Sequence, residues 1–421
     1  MSADFTPADA SASLINVPGT LNVENGTVII NREDAAFNPS YRTCVFCVSN
    51  DGTVNLNDVT AKNNGGAGMA YVLDMSNATN AAYNVENSRL ESTYIAVRAF
   101  NSGYDMNNVT IKNSTLKGKY CFWVHNYKGA GDSVGTDETL NLDILNGTNT
   151  FEYTGKAPIL YGFANPIYYD VDGMVLVSNT DELNAALKTY TCVKAKEGDY
   201  TLTTFPAGAK IIGSGENTVI NATSIITVNG AVNIENAHIV MSNDGYKGFQ
   251  GNVELNLKNC TIEGQPFLYG VKANFEGCTF EQAAKGNYNV WAYAVKEASF
   301  TNCVFNCDGR CVLIYQEGPS LIQNVTFEGC TFNAATPAGD GKAAVEIGAS
   351  NLTTGLYNVV INNCTANGFD AGSVSGSTLW NVKNGNRANV TVDGEICFVG
   401  GADAIGNGLY KSGSTYSVTN A

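Results

Sequence analysis

Cys44 and Cys47 stand three apart in TCVFCV, and Cys303, Cys307 and Cys311 recur every fourth residue in NCVFNCDGRCV. Thiols at such spacings are the raw material of zinc sites and redox pairs. Whether they act together depends on the backbone beneath them. On an extended strand, residues three apart face opposite ways, so Cys44 and Cys47 are not expected to chelate together without a turn. Of the two histidines, His125 in CFWVHNY lacks an acid or nucleophile beside it in sequence, and His238 in NIENAHIVM reads as a surface position. Asp308, Asp340 and Glu346 read as turn or surface residues, although a fold that joins distant segments can build a glycosidase pair from two such acids. The alternating aromatics of YNVWAYAV, with Tyr288, Trp291 and Tyr293, are the weak candidates for a sugar-stacking face. YCFWVHNY at 120–127 alternates in the same way. No catalytic residue, metal site or cofactor is expected from these patterns.

The elements that must position these residues announce themselves by repetition. NVTFEGCTF at 324 returns as LNLKNCTIEG at 255, ANFEGCTFEQ at 273 and ASFTNCVFNC at 298. Aligned on the central residue, ten copies are centred on Asn25, Asp58, Asn87, Asn113, Asn236, Asn259, Gly277, Asn302, Gly329 and Asn363. All are Asn, Asp or Gly, the types that tolerate positive φ, so the centre is a bend. Two positions earlier every copy is apolar, from Val23 and Leu56 to Phe327 and Ile361; one position later stand Cys260, Cys278, Cys303, Cys330 and Cys364 in the last five copies. These two positions differ in parity and would face opposite ways on a straight strand, but a one-residue corner turns both inward. Within each half, up to Asn113 and from Asn236, bends 18 to 34 residues apart, without helical periodicity, predict a stack of parallel strands spaced about 4.8 Å per coil. The five cysteines then form an inward thiol column, safest where thiols stay reduced.

This phrase resembles that of the right-handed parallel β-helix, or pectate-lyase-like, superfamily, most nearly its phage appendages and bacterial surface proteins. The resemblance implies an all-β, right-handed parallel β-helix, and the lapse of the phrase between Asn113 and Asn236 divides it into two solenoid segments. One spans residues 1–172 and the other 173–421, the latter beginning with a cap helix near 179–188. Within SNTDELNAALK, Asn179 reads as N-cap and Glu182 as its capping-box partner. The first segment has no such helix; its end is expected to be covered by residues 1–15 or by another protein, which makes it a docking domain. Lyases and hydrolases of the superfamily carry acidic calcium ligands with a basic partner, or paired aspartates with Gly-His-Gly and Arg-x-Lys elements. These are not recognisable here. Asn179-Thr180-Asp181 copies one hydrolase spelling, which the helix start explains.

Composition sets the remaining bounds. With 44% hydrophobic and 15% charged residues, 44 glycines and 9 prolines, the chain is folded and rich in turns. A net charge of −15 without a basic cluster argues against nucleic acid or an anionic membrane as partner. No transmembrane run and no leader peptide are read in the chain as it stands. The expectation is a non-enzymatic structural or adhesive protein of a virus particle: a head fibre, capsid decoration or tail appendage assembled in the host cytoplasm. Its partners would be other virion proteins or copies of itself, and a cell-surface polysaccharide. The alternatives are a secreted bacterial surface adhesin and a polysaccharide lyase or glycoside hydrolase.

Overall fold

In the computed structural model, all ten repeat centres have positive φ, from 49° at Asn113 to 64° at Gly329. The structure describes residues 2–5, 11–32, 38–65, 68–74, 78, 80–100, 109–125, 148–161, 167–242, 247–250, 254–269, 272–281, 288–316, 321–336, 342–348, 355–383, 386–400, 407–412 and 415–420. Among these, the one helix is Thr180–Ala186 and the other regular elements are strands. No helix among the described residues is long and apolar enough to cross a membrane. The chain divides into two compact units, Met1–Leu176 and Val177–Ala421.

In the first unit, strand Thr20–Arg32 pairs in parallel with Thr53–Gly65 on both sides of the bend, with Glu24 opposite Asn57 and Gly26 opposite Val59. Later coils continue both halves: Ala82–Glu86 and Val109–Lys112 before the bend, Arg89–Ser92 and Thr115–Gly118 after it. A second parallel sheet runs through Ser11–Val17, Asn38–Val48, Gly68–Asp74, Ile95–Phe100, Tyr120–His125 and Ile159–Tyr161. Residues expected to cover the end of this unit are thus themselves strand: Ser2–Phe5 adds to Ile29–Arg32, and Ser11–Val17 to Arg42–Val48.

The second unit repeats the plan. Ile234, Leu257, Phe275, Phe300, Phe327 and Ile361 stack in register two residues before their bends. Three residues after the bends, Phe280, Phe305 and Phe332 form a second column. Phe275, Phe300 and Phe327 stack at 4.9 Å between ring centroids, with interplanar angles of 6° and 8°. Parallel in-register strands hold identical side chains one coil apart, so the rings meet face over face. Each buried ring contributes about 1.5–3 kcal/mol of transfer free energy. Cys260, Cys278, Cys303 and Cys330 form the buried thiol column beside them. A separate five-stranded parallel sheet contains Phe267–Tyr269, Val290–Tyr293, Val312–Tyr315, Val345–Ile347 and Trp380–Val382. This coil-on-coil parallel stacking is that of a β-solenoid.

Asn179 Oδ1 accepts the Glu182 N–H at 2.9 Å, while the Glu182 carboxylate reaches back to the Ser178 N–H and hydroxyl, both at 2.9 Å. The reciprocal bond therefore falls one residue earlier than the capping-box spelling implies. Leu183, Ala186 and Leu187 are buried. Parallel winding does not run to the C-terminus: Ala388–Val392 turns at Asp393-Gly394, both of positive φ, into the antiparallel Glu395–Gly400, and two more antiparallel strands follow. Ile159–Tyr161 and Ile167–Tyr169 are likewise antiparallel.

Candidate functional site

Strand Val345–Ile347 sends Val345 and Ile347 into the core, so the pleat turns Glu346 to the outer face of the five-stranded sheet. The same alternation places Trp291 and Tyr293, Leu313 and Tyr315, and Asn381 and Lys383 on that face. Trp291, Leu313, Glu346 and Asn381 form one row across four coils, and Tyr293 stands opposite Tyr315 in the next. Trp291 and Tyr315 meet edge to face at 5.7 Å, and Tyr315 and Tyr293 at 4.9 Å.

Charge gathers at one side of this face. The Lys383 ammonium donates to the Tyr288 hydroxyl at 2.7 Å and lies 3.5 Å from Glu346 Oε2. It is 5.0 Å from the Tyr288 ring centroid, beyond the hydroxyl, so the contact is a hydrogen bond rather than a cation over a ring face. Glu346 Oε1 accepts the Ala343 N–H at 2.9 Å. The exposed Arg310 brings its guanidinium carbon 5.4 Å from the Tyr288 ring centre. Burial pulls the Lys383 pKa down against the attraction of Glu346. Burial, and then the Glu346 charge, push the Tyr288 phenol up. The arrangement joins half-exposed aromatic edges to an ion pair and an exposed guanidinium, which suits a ligand with both apolar and polar faces.

Of the three aromatics expected to form a stacking face, Trp291 and Tyr293 are half-buried on the outer side, whereas Tyr288 is only 5% exposed, its ring engaged by Arg310 and its hydroxyl by Lys383. Tyr315, Arg310 and Lys383 join this face from later coils, with no local sequence signal to mark them. Glu346 is neither turn nor surface but is 3% exposed in a strand. Asp308 is half-buried in the turn after Val304–Cys307, and Asp340 lies outside the described residues. His238 faces Glu263 of the next coil at 3.2 Å. The strand Tyr120–His125 is described, but the His125 side chain is not.

The cysteines depart from expectation in the first unit. Val45 and Phe46 are consecutive, yet both are fully buried in the main core. Their corner brings Cys44 and Cys47 to the same, opposite side of the sheet, so the rule that residues three apart diverge fails here. The inward pairs Val72–Leu73, Ala96–Val97 and Cys121–Phe122 repeat the corner on later coils. Outside them, Tyr71, Ile95, Tyr120 and Trp123 form a second apolar cluster with Cys44 and Cys47. Arg98 Nη1 lies 3.2 Å from Asp74 Oδ2 in an ion pair whose side chains are 4% and 9% exposed. Its guanidinium carbon is 5.0 Å from the Tyr71 ring centre and 5.2 Å from that of Trp123. Cys303 belongs to the thiol column and donates to the Phe275 carbonyl, whereas Cys307 and Cys311 share a hydrogen bond that lowers the Cys307 pKa.

Each unit also carries a polar groove on its pre-bend strands. One, of about 230 Å³, runs along Asn22, Asn55 and Asn84; the other, of about 530 Å³, along Asn233, Asn256 and Asn274. Their amides bond coil to coil at 2.7–3.0 Å. Much of that hydrogen-bonding capacity therefore goes to the stack itself. No protein-family model matches this chain, and no curated protein matches it.

Proposed function

We propose that this chain is a non-enzymatic, right-handed parallel β-helix of a virus particle, acting as a head fibre, capsid decoration or tail appendage that holds a surface glycan on the lateral face of its second unit. The observation that carries the reading is the meeting of Trp291, Tyr293 and Tyr315 beside Arg310, Lys383 and Glu346. A sugar ring has an apolar face for the aromatic edges and hydroxyls for the charged groups. Right-handed winding follows the strong preference of parallel crossover connections. Reduced, buried thiols suit assembly in a cytoplasm.

Binding to an array of bacterial and host glycans tests the face. Trp291→Ala and Arg310→Ala should each weaken a bound glycan at least about tenfold, the order expected of one lost anchor. Glycan binding unchanged by both variants would remove the site. Mass spectrometry of purified particles tests the virion role separately, and a chain absent from particles but anchored on a cell envelope would favour the bacterial adhesin. The Lys383–Tyr288 contact supports a second, catalytic reading, since a lysine of lowered pKa beside a phenol is an acid–base pair. Ultraviolet absorbance of unsaturated products from acidic polysaccharides would reveal lyase activity.

A further inference from the structure

We propose that Cys44, Cys47 and Asp74 form a binding site for a thiophilic divalent cation of the zinc type, on the outer side of the second sheet of the first unit. The two sulfurs and a carboxylate oxygen all lie within 4.8 Å of one another. Donors around a tetrahedral zinc, with Zn–S of about 2.3 Å and Zn–O of about 2.0–2.2 Å, are about 3.5–3.8 Å apart, so closure asks only for small side-chain shifts.

The backbone does the positioning. The Val45–Phe46 corner turns both cysteines of one strand outward, and register places Asp74 directly opposite Cys47 on the next coil. Arg98 stands opposite Asp74 one coil further and holds that carboxylate from the side away from the sulfurs' own strand. The Ser13 hydroxyl donates to Cys47 Sγ at 3.1 Å, the kind of outer hydrogen bond that favours a thiolate ligand and fixes its direction. Charge also balances: two thiolates and a carboxylate carry three negative charges, and a divalent cation with Arg98 carries three positive ones. A balanced set of this kind suits a site where Cys44 is 3% and Asp74 7% exposed. Soft sulfur donors select zinc-like ions over calcium or magnesium. Three protein ligands leave the fourth position of a tetrahedron to water or to a further donor.

The full chain, reduced, stripped with a chelator and titrated with Co²⁺, tests this directly. One equivalent should produce thiolate-to-cobalt charge-transfer absorption and the visible bands of tetrahedral cobalt, both abolished by added Zn²⁺. Cys47→Ser, at a half-buried position, and Cys44→Ser should each abolish the charge-transfer band. Asp74→Asn should weaken binding at least about tenfold, the effect seen for a lost ligand or its support. Cys278→Ser, in the thiol column, should leave the bands intact. Absence of the bands in the native chain, their survival in both Cys44→Ser and Cys47→Ser, or a Cys44–Cys47 disulfide that persists under the reducing conditions would overturn the assignment. Circular dichroism of Cys47→Ser shows whether a lost band reports a lost ligand or a lost fold, and an unfolded Cys47→Ser shifts the decision to Asp74→Asn.

Discussion

Substituting Gly329 by alanine isolates the physics of the bend. Its φ is 64°, and an added Cβ would stand 2.5 Å from Asn302 Oδ1 of the preceding coil. The left-handed conformation costs a residue other than Gly or Asn about 1–2 kcal/mol. Moving the Asn302 side chain off its rotamer adds about 0.5–1.5 kcal/mol. The sum, about 1.5–3.5 kcal/mol, should speed hydrogen exchange of the 322–334 amides about 10- to 300-fold. In an Asn302→Gly background the second term vanishes, because glycine keeps the positive φ of 52° and offers no side chain to strike. Gly329→Ala should then cost only about 1–2 kcal/mol, a 5- to 30-fold change in exchange. Hydrogen-exchange mass spectrometry of the four proteins reads this cycle without needing the two units to unfold together. Unchanged protection in Gly329→Ala, or an equal penalty in both backgrounds, would refute the reasoning.

Phe300→Ala removes a fully buried ring stacked on two others, and should cost about 3–5 kcal/mol in thermal or urea unfolding of the second unit, with Phe300→Leu costing clearly less. Lys383→Met strands the buried Glu346 carboxylate and should destabilise by about 3 kcal/mol, and Glu346→Gln in that background should restore much of the loss, as a melting-temperature comparison would show. In the first unit, burial raises the Glu91 pKa, but hydrogen bonds from Lys117, Arg89 and Lys62 outweigh it and hold the carboxyl at about 2. Its unfolded value is about 4.3, so its contribution is present above that pH and fades as pH falls toward 2. Glu91→Gln should flatten the acid limb of the first unit's stability between those values by up to about 1 kcal/mol, given the partial exposure of its partners.

What could be read from sequence followed from how special each conformation is. A left-handed bend excludes most residue types, so Asn, Asp and Gly at ten centres marked ten corners whose φ is positive. The Asp393-Gly394 hairpin carries the same chemistry and a recognised hairpin dipeptide, yet the dipeptide alone does not distinguish a turn within a coil from the change from parallel to antiparallel strands. Glu346 and Lys383 were beyond reach for a different reason. They lie 37 residues apart and meet through coil stacking, and the register that joins them is set by loops whose lengths follow no pattern.

The second corner of the first unit is the instructive case, because nothing about its residues demands an unusual φ. Val45–Phe46, Val72–Leu73, Ala96–Val97 and Cys121–Phe122 are ordinary strand residues, and positive φ is not needed to turn two neighbours inward. A signal nevertheless existed. CVFC, YVLD, IAVR and YCFW each place two small or apolar residues between flanking groups of mixed chemistry, and they recur 27, 24 and 25 residues apart, the interval of one coil. With strand parity local rather than fixed, that recurrence sets Cys44, Cys47, Asp74 and Arg98 on one face. In a solenoid, every corner reverses parity for all that follows it. A residue pair three apart is therefore divergent on the flat of a strand and convergent across a corner, and only the coil-to-coil recurrence of the pair's surroundings distinguishes the two.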